Sequence, residues 1–159
     1  RTDEVLSLKQ EDLMLEDGFI RFRDRKGGSK TVNPIDDETV QAMTRLMAIS
    51  SDDTDYLFTS IRGGRIDRER IRRSVRRAAV QAGVMEEEDE KRWHHKFVPH
   101  YYRTIFTSLM RNSEPGLKDH WVGYLRGDSD QSIQDLYTRT PHEKIRDRYL
   151  ETIKPLNLY

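Results

Sequence analysis

Pro99-His100-Tyr101-Tyr102-Arg103 is the stretch on which the reading of this sequence turns. Proline fixes its own φ and suits the first position of a helix, so a helix is predicted from His100 to about Asn112. On that helix His100 and Arg103 stand at i and i+3 and share one face. An imidazole, a guanidinium and the unpaired N–H groups of a helix N-terminus can converge on an anion such as phosphate. Alone the pattern says little, because His-x-x-Arg arises often by chance and a solvated surface pair has the same spacing. The surrounding segments give it meaning.

Downstream, a helix is predicted from about Leu117 to Leu125, broken by Gly127, and a short helical segment leads to Tyr137. Pro141 opens a last helix through Ile153 that carries Ile145, Tyr149 and Leu150 on its apolar side. Upstream, Ile66 to Ala82 reads as a helix with Ile71, Val75, Ala78 and Ala82 facing a core, closed by Gly83. Tyr56-Leu57-Phe58 is a short apolar anchor, and Asp37 to Ile49 is an amphipathic helix with Val40, Met43 and Met47 on one stripe. Phe19 to Arg23 and Thr31 to Asn33 read as two strands joined through Lys26-Gly27-Gly28-Ser29-Lys30, with Ile20 and Phe22 on one face. Residues 2–14 read as a helix. The expectation is one mainly α (α+β) domain over residues 1–159, a helical bundle with a small antiparallel hairpin. The chain has no initial Met, and Arg1 enters a helix already in progress, so a fragment of a longer protein is expected.

The length, 159 residues, suits one domain. Hydrophobic and charged residues each make up 35%, while seven Tyr, five Phe and two Trp supply bulk for one core. No apolar run approaches the ~20 residues that cross a membrane, and nothing at the start resembles a signal peptide. Without cysteine there is no disulfide framework, thiol nucleophile or thiolate metal site, and a cytoplasmic location is expected. The zero net charge conceals a division: residues 61–83 hold 8 basic and 2 acidic side chains, and residues 1–60 hold 8 and 13. Eight arginines fall between Arg62 and Arg77, with Arg65, Arg68, Arg72 and Arg76 assigned to the side opposite the apolar stripe. Such an excess points to a polyanion, with phosphate contact and some base-edge reading by arginine. His94-His95 diverge as neighbours and have no evident third ligand, so no metal is expected.

The order of the pieces resembles the catalytic domain of the tyrosine recombinases, the phage-integrase family. Arg1-Thr2-Asp3-Glu4-Val5-Leu6-Ser7-Leu8 is similar to the family's Arg-x-x-Glu-Leu-x-x-Leu box, and Asp12 matches the acidic residue after it. Lys26-Gly27 through Asn33-Pro34-Ile35 resembles the hairpin that begins Lys-Gly and ends Val-Pro-Leu. Leu57-Phe58 and Ala82-Gly83-Val84 resemble the flanks of the basic helix, and Pro99 to Arg103 matches Pro-His-x-x-Arg. Leu125-Arg126-Gly127-Asp128 stands where the family has Leu-Leu-Gly-His, nine residues before Tyr137. Asp128 thus replaces the second His (sometimes Trp); a shifted alignment would put His120 or Trp121 there instead. Thr104 stands where bacterial members often have His, and with the extended last helix this resembles archaeal and archaeal-virus integrases.

The resemblance implies a metal- and ATP-independent transesterification of double-stranded DNA at att-type sites. Tyr137 would attack phosphorus, leaving a 3′-phosphotyrosyl bond. Arg1 and Arg103 would bind the non-bridging oxygens, and His100 would act as base or phosphate donor. Lys26 would protonate the leaving oxygen, and Lys30 would contact DNA with the basic helix. Asp128 would lie beside the phosphate, where a carboxylate opposes it unless a cation such as Arg126 neutralises it. The implied partners are DNA and further copies of the chain, as a tetrameric synapse on DNA and a monomer when free. Two other readings share the fold: a DNA-binding protein that has lost catalysis, and a type IB topoisomerase.

Overall fold

The computed structural model describes residues 1–23, 31–50, 54–60, 63–86, 99–128 and 141–153, without the side chains of Pro99 and His100. The described residues hold six α-helices: α1 Thr2–Leu6, α2 Asp37–Ile49, α3 Arg68–Gln81, α4 Pro99–Asn112, α5 Asp119–Arg126 and α6 His142–Ile153. Three strands, β1 Leu13–Met14, β2 Phe19–Phe22 and β3 Thr31–Pro34, form one antiparallel sheet in the order β1-β2-β3. No helix among these residues is long and apolar enough to cross a membrane. The mainly α architecture with a small sheet is the predicted one.

The first helix departs from expectation. It stops at Leu6 instead of running to residue 14, and the chain passes through a 3-10 turn at Gln10–Asp12 into β1. The cause lies far along the chain: Leu57 N–H donates to the Leu8 carbonyl at 2.9 Å and Gln10 N–H to the Asp55 carbonyl at 3.0 Å. These bonds hold the backbone extended at Leu8 and Lys9, and Leu13–Met14 then pair with Phe19–Ile20, so the hairpin becomes a three-stranded sheet. Local helix propensity is weak beside such pairing and the burial that comes with it.

α2 has the predicted bounds, and its start is written locally. Asp36 caps it by accepting from Thr39 N–H at 2.7 Å, and Asp37 and Glu38 complement the helix dipole in its first turn. Its Val40, Met43 and Met47 pack on Leu8, Ile20, Ile35 and fully buried Leu57. A second cluster joins α4, α5 and α6 through Met110, Trp121, Val122, Leu125 and Ile145, with Phe106 and Tyr149 against it. Each fully buried aliphatic side chain contributes roughly 1.5–3 kcal/mol relative to exposure. The sheet lies between the clusters. Ile20 faces the first, while Phe19 meets α6, its ring 6.5 Å from that of His142 and 5.9 Å from the Arg146 guanidinium. Both neighbours on β2 are therefore buried, and the simple alternation read from the sequence does not hold there.

Candidate active site

Arg103 projects from the first turns of α4 toward the end of α5. Its Nη1 donates to the Arg126 carbonyl at 2.8 Å, and its Nη2 is bonded to the Asp128 carboxylate. The other oxygen of Asp128 lies 3.6 Å from Arg126 Nε. Asp128 is held there by its backbone. Gly127, at φ 68° and ψ 43°, adopts the left-handed conformation that closes α5, and Asp128 N–H donates back to the Gly123 carbonyl at 3.0 Å. Residues 127 and 128 thus form the ordinary glycine cap of a helix, and the cap delivers a carboxylate to an arginine.

Arg1 precedes α1, and its Nη1 donates to the buried Glu4 carboxylate at 3.2 Å. Arg1, Arg103 and Arg126 line one cavity of about 510 Å³, which they share with Val5, Phe22, Phe58, Ile71, Val75, Tyr102 and Tyr149. Burial pulls the Arg103 guanidinium below the ordinary arginine value; Arg126 and Arg1 push the same way, against Asp128 and Glu4. The two arginines taken from distant boxes of the sequence are therefore close enough to repel. Three guanidiniums against two carboxylates leave the cavity lining positive among apolar side chains, a setting in which an oxyanion is bound more strongly than in water.

Of the positions weighed for the second His, Trp121 is buried in the core, His120 is half-buried, and Asp128 touches Arg103. The backbone of His100 lies in the first turn of α4. Lys26, Lys30 and Tyr137 lie outside the described residues, as do His94, His95 and the short segment before Tyr137. Arg23, just after the end of β2, was missed by the sequence reading. It is pinned by buried Asp12 and, at 3.2 Å, by Glu11, and hydrogen bonding to Asp12 raises its pKa. Glu4 was matched to the box that holds Arg1, but its bond to the Arg1 guanidinium was not read; the signal was an acid three residues after Arg1 on one helix face.

The basic helix is rearranged relative to expectation. α3 begins at Arg68, capped by Asp67, so Arg65 is not on it; Arg65 pairs with Thr59 in an isolated bridge. At ~100° per residue, Arg68 and Arg72 flank the Ile71/Val75 stripe instead of opposing it, and Arg76 lies on the side of buried Ala79. Accordingly Arg72 and Arg76 are half-buried, and Ala79, not Ala78 or Ala82, is the buried alanine. Arg68 bonds Asp3 on α1 through Nε and Nη2, and Arg72 lies 3.5 Å from Glu69. The outward face belongs to Arg70, Arg73 and Arg77, all exposed. Among the described residues no group of three His, Asp or Glu side chains has metal-ligand spacing.

Residues 1–143 match the model of the phage integrase family. The chain is 27% identical over 157 residues to the tyrosine recombinase XerD of Vibrio cholerae, covering 95% of this chain and 48% of XerD. It is 32% identical over 159 residues to XerC of Thermodesulfovibrio yellowstonii, covering 94% and 48%. It is 37% identical over 90 residues to the type 1 fimbriae regulatory protein FimE of Escherichia coli K12, covering 54% and 46%. The chain thus spans about half the length of these relatives. Among solved structures, the XerA recombinase superposes with a TM-score of 0.67 at 26% identity, covering 95% of this chain and 52% of that one. The Tn1549 transposon integrase, solved with a circular intermediate DNA, shares the fold at a TM-score of 0.58 and 17% identity, covering 95% and 54%.

Proposed function

The chain belongs to the phage integrase family, and from that premise we propose that it is the catalytic domain of a site-specific tyrosine recombinase acting on double-stranded DNA. The observation that carries the reading is the convergence of Arg1 and Arg103 on one cavity, each braced by a carboxylate. Guanidiniums bind phosphate oxygens with planar, paired donors, and they stabilise the charge that grows on those oxygens as a nucleophile attacks. In this reading the Tyr137 hydroxyl attacks the phosphorus and loses its proton toward His100. The 5′-oxygen leaves with a proton from Lys26. The bond energy is kept in the 3′-phosphotyrosyl link until a 5′-hydroxyl reverses the step, so neither ATP nor a metal ion enters the chemistry. Arg70, Arg73 and Arg77 on α3, with Arg65, Arg72, Arg76 and Lys30, supply sequence-independent phosphate contacts. Several copies would assemble on paired sites to exchange strands.

Asp128 favours a second reading, a DNA-binding protein of the same fold with weakened catalysis. One experiment separates them. The full-length protein is incubated with a pool of nicked duplexes of randomised central sequence and resolved under denaturing conditions. A covalent protein–DNA band is expected. Retarded complexes without a covalent band would leave the binding reading alone standing. Loss of supercoils from plasmid without strand exchange between captured sites would instead mark a topoisomerase.

A further inference from the structure

β3 is an edge strand, and its outer side is closed in an unusual way. Ile35 N–H donates to the Gly18 carbonyl at 2.9 Å, which fixes the alternation of the ladder. Ile20–Asn33 and Phe22–Thr31 are then hydrogen-bonded pairs, and Val32, opposite Arg21, turns its own N–H and C=O away from β2. Both groups meet one side chain: the Tyr124 hydroxyl accepts from Val32 N–H at 3.2 Å and donates to the Val32 carbonyl at 3.2 Å. One residue further, Asn33 Nδ2 donates to the Leu125 carbonyl at 2.8 Å. Two consecutive residues of β3 therefore grip two consecutive residues of α5, and Nδ1 of His142 lies 3.4 Å from the same tyrosine oxygen at the start of α6.

The turn gripped in this way carries the Arg126 carbonyl and Asp128, the two acceptors that hold the Arg103 guanidinium. Core packing does not require the hydroxyl, because Tyr124 is buried among apolar neighbours where a phenylalanine ring would fill the same space. We propose that Tyr124 is a positioning residue, whose hydroxyl registers the last turn of α5 against β3 and so aims Arg103 into the cavity. This rests on the reading of Arg103 as a phosphate-binding group.

The test uses the full chain, ¹⁵N-labelled, with the Nε–H resonance of Arg103 assigned through Arg103→Lys, and inorganic phosphate as probe. Tyr124→Phe is expected to move or broaden the Arg103 resonance and to weaken phosphate binding about fivefold, a coupling typical of residues joined in one network. The melting temperature should stay within about 4 °C, the shift of a ~1 kcal/mol change in a domain of this size. In the Arg103→Lys background the same change should cost less than about twofold, because the path through Arg103 is already cut. An unmoved resonance with unchanged affinity, or an equal loss with and without Arg103, would overturn the proposal. If Arg103→Lys alone left phosphate affinity intact, the phosphate reading would fall, and the resonance of Arg103 in Tyr124→Phe would still report on positioning. Asn33→Ala, which removes the other half of the grip, is the second variant should Tyr124→Phe not fold; the same displacement is expected, and its absence counts against the idea.

Discussion

Arg103 is held on two sides, by the neutral Arg126 carbonyl and by the Asp128 carboxylate, whose charge would compete with a phosphate for the same donors. A carboxylate about 4 Å from a phosphate oxygen costs about 1 kcal/mol even at the dielectric of water, and more in a partly closed site. Asp128→Asn keeps the shape and an acceptor for Arg103 while removing the charge. DNA affinity at low salt should rise about fivefold or more, and the gain should shrink as salt screens it; titrations at two ionic strengths check this. Unchanged affinity would mean that Arg126 already cancels the carboxylate. Tyr137→Phe should abolish the covalent band and leave DNA binding near the wild-type value, because in the proposed mechanism it removes only the attacking oxygen. If the adduct persists in a denaturing gel, the nucleophile is another tyrosine.

At the level of elements, α3 presents two kinds of arginine. Arg73 and Arg77 point outward, whereas Arg76 is half-buried on the side of buried Ala79 and its Nε is enclosed. Replacing Arg73 and Arg77 by Ala should lower the slope of log affinity against log salt by roughly 1.8, ~0.9 for each DNA phosphate that the helix no longer neutralises. Stability should move by no more than about 0.5 kcal/mol, as for most surface changes. Arg76→Ala should instead destabilise measurably, since its stem covers apolar surface, and chemical denaturation of the two variants beside the wild type distinguishes the two cases. A slope unaffected by Arg73 and Arg77 would make that face a solvated one.

For the molecule as a whole, the site exists only while the sheet stays between its two clusters. Ile145 is 1% exposed, sits on α6, and joins that helix to α4 and α5. Ile145→Ala should cost about 2–5 kcal/mol, by reduced burial and the cavity left behind, and should weaken DNA capture only through the fraction unfolded. A denaturation curve compared with capture at low temperature checks that order of cause. A chelator such as EDTA should leave the rate of covalent capture unchanged, because in the proposed chemistry Arg1, Arg103, His100 and Lys26 meet the charge on the phosphate. A strict magnesium requirement would contradict the chemistry proposed.

What could be read from residues alone is what depends on near neighbours in the chain. The start of α2 follows from Asp36 and its acidic first turn, and the start of α4 from Pro99. The end of α5 follows from a glycine at positive φ. The arginine boxes were legible as well, because their spacing carries the family pattern. Tertiary contacts decided the rest. Residues 7–14 gave up a helix because Leu57 and Asp55 offered backbone partners and a buried slot for Leu8. Phe19 and Ile20 are both buried because helices cover both faces of the sheet. That Arg1 and Arg103 face one cavity, that Asp128 is bonded to Arg103, and that the Tyr124 hydroxyl closes the edge of β3 all join residues far apart in the chain. Pattern along the chain does not encode such contacts; they form when the clusters exclude water and leave each buried polar group to find its partner.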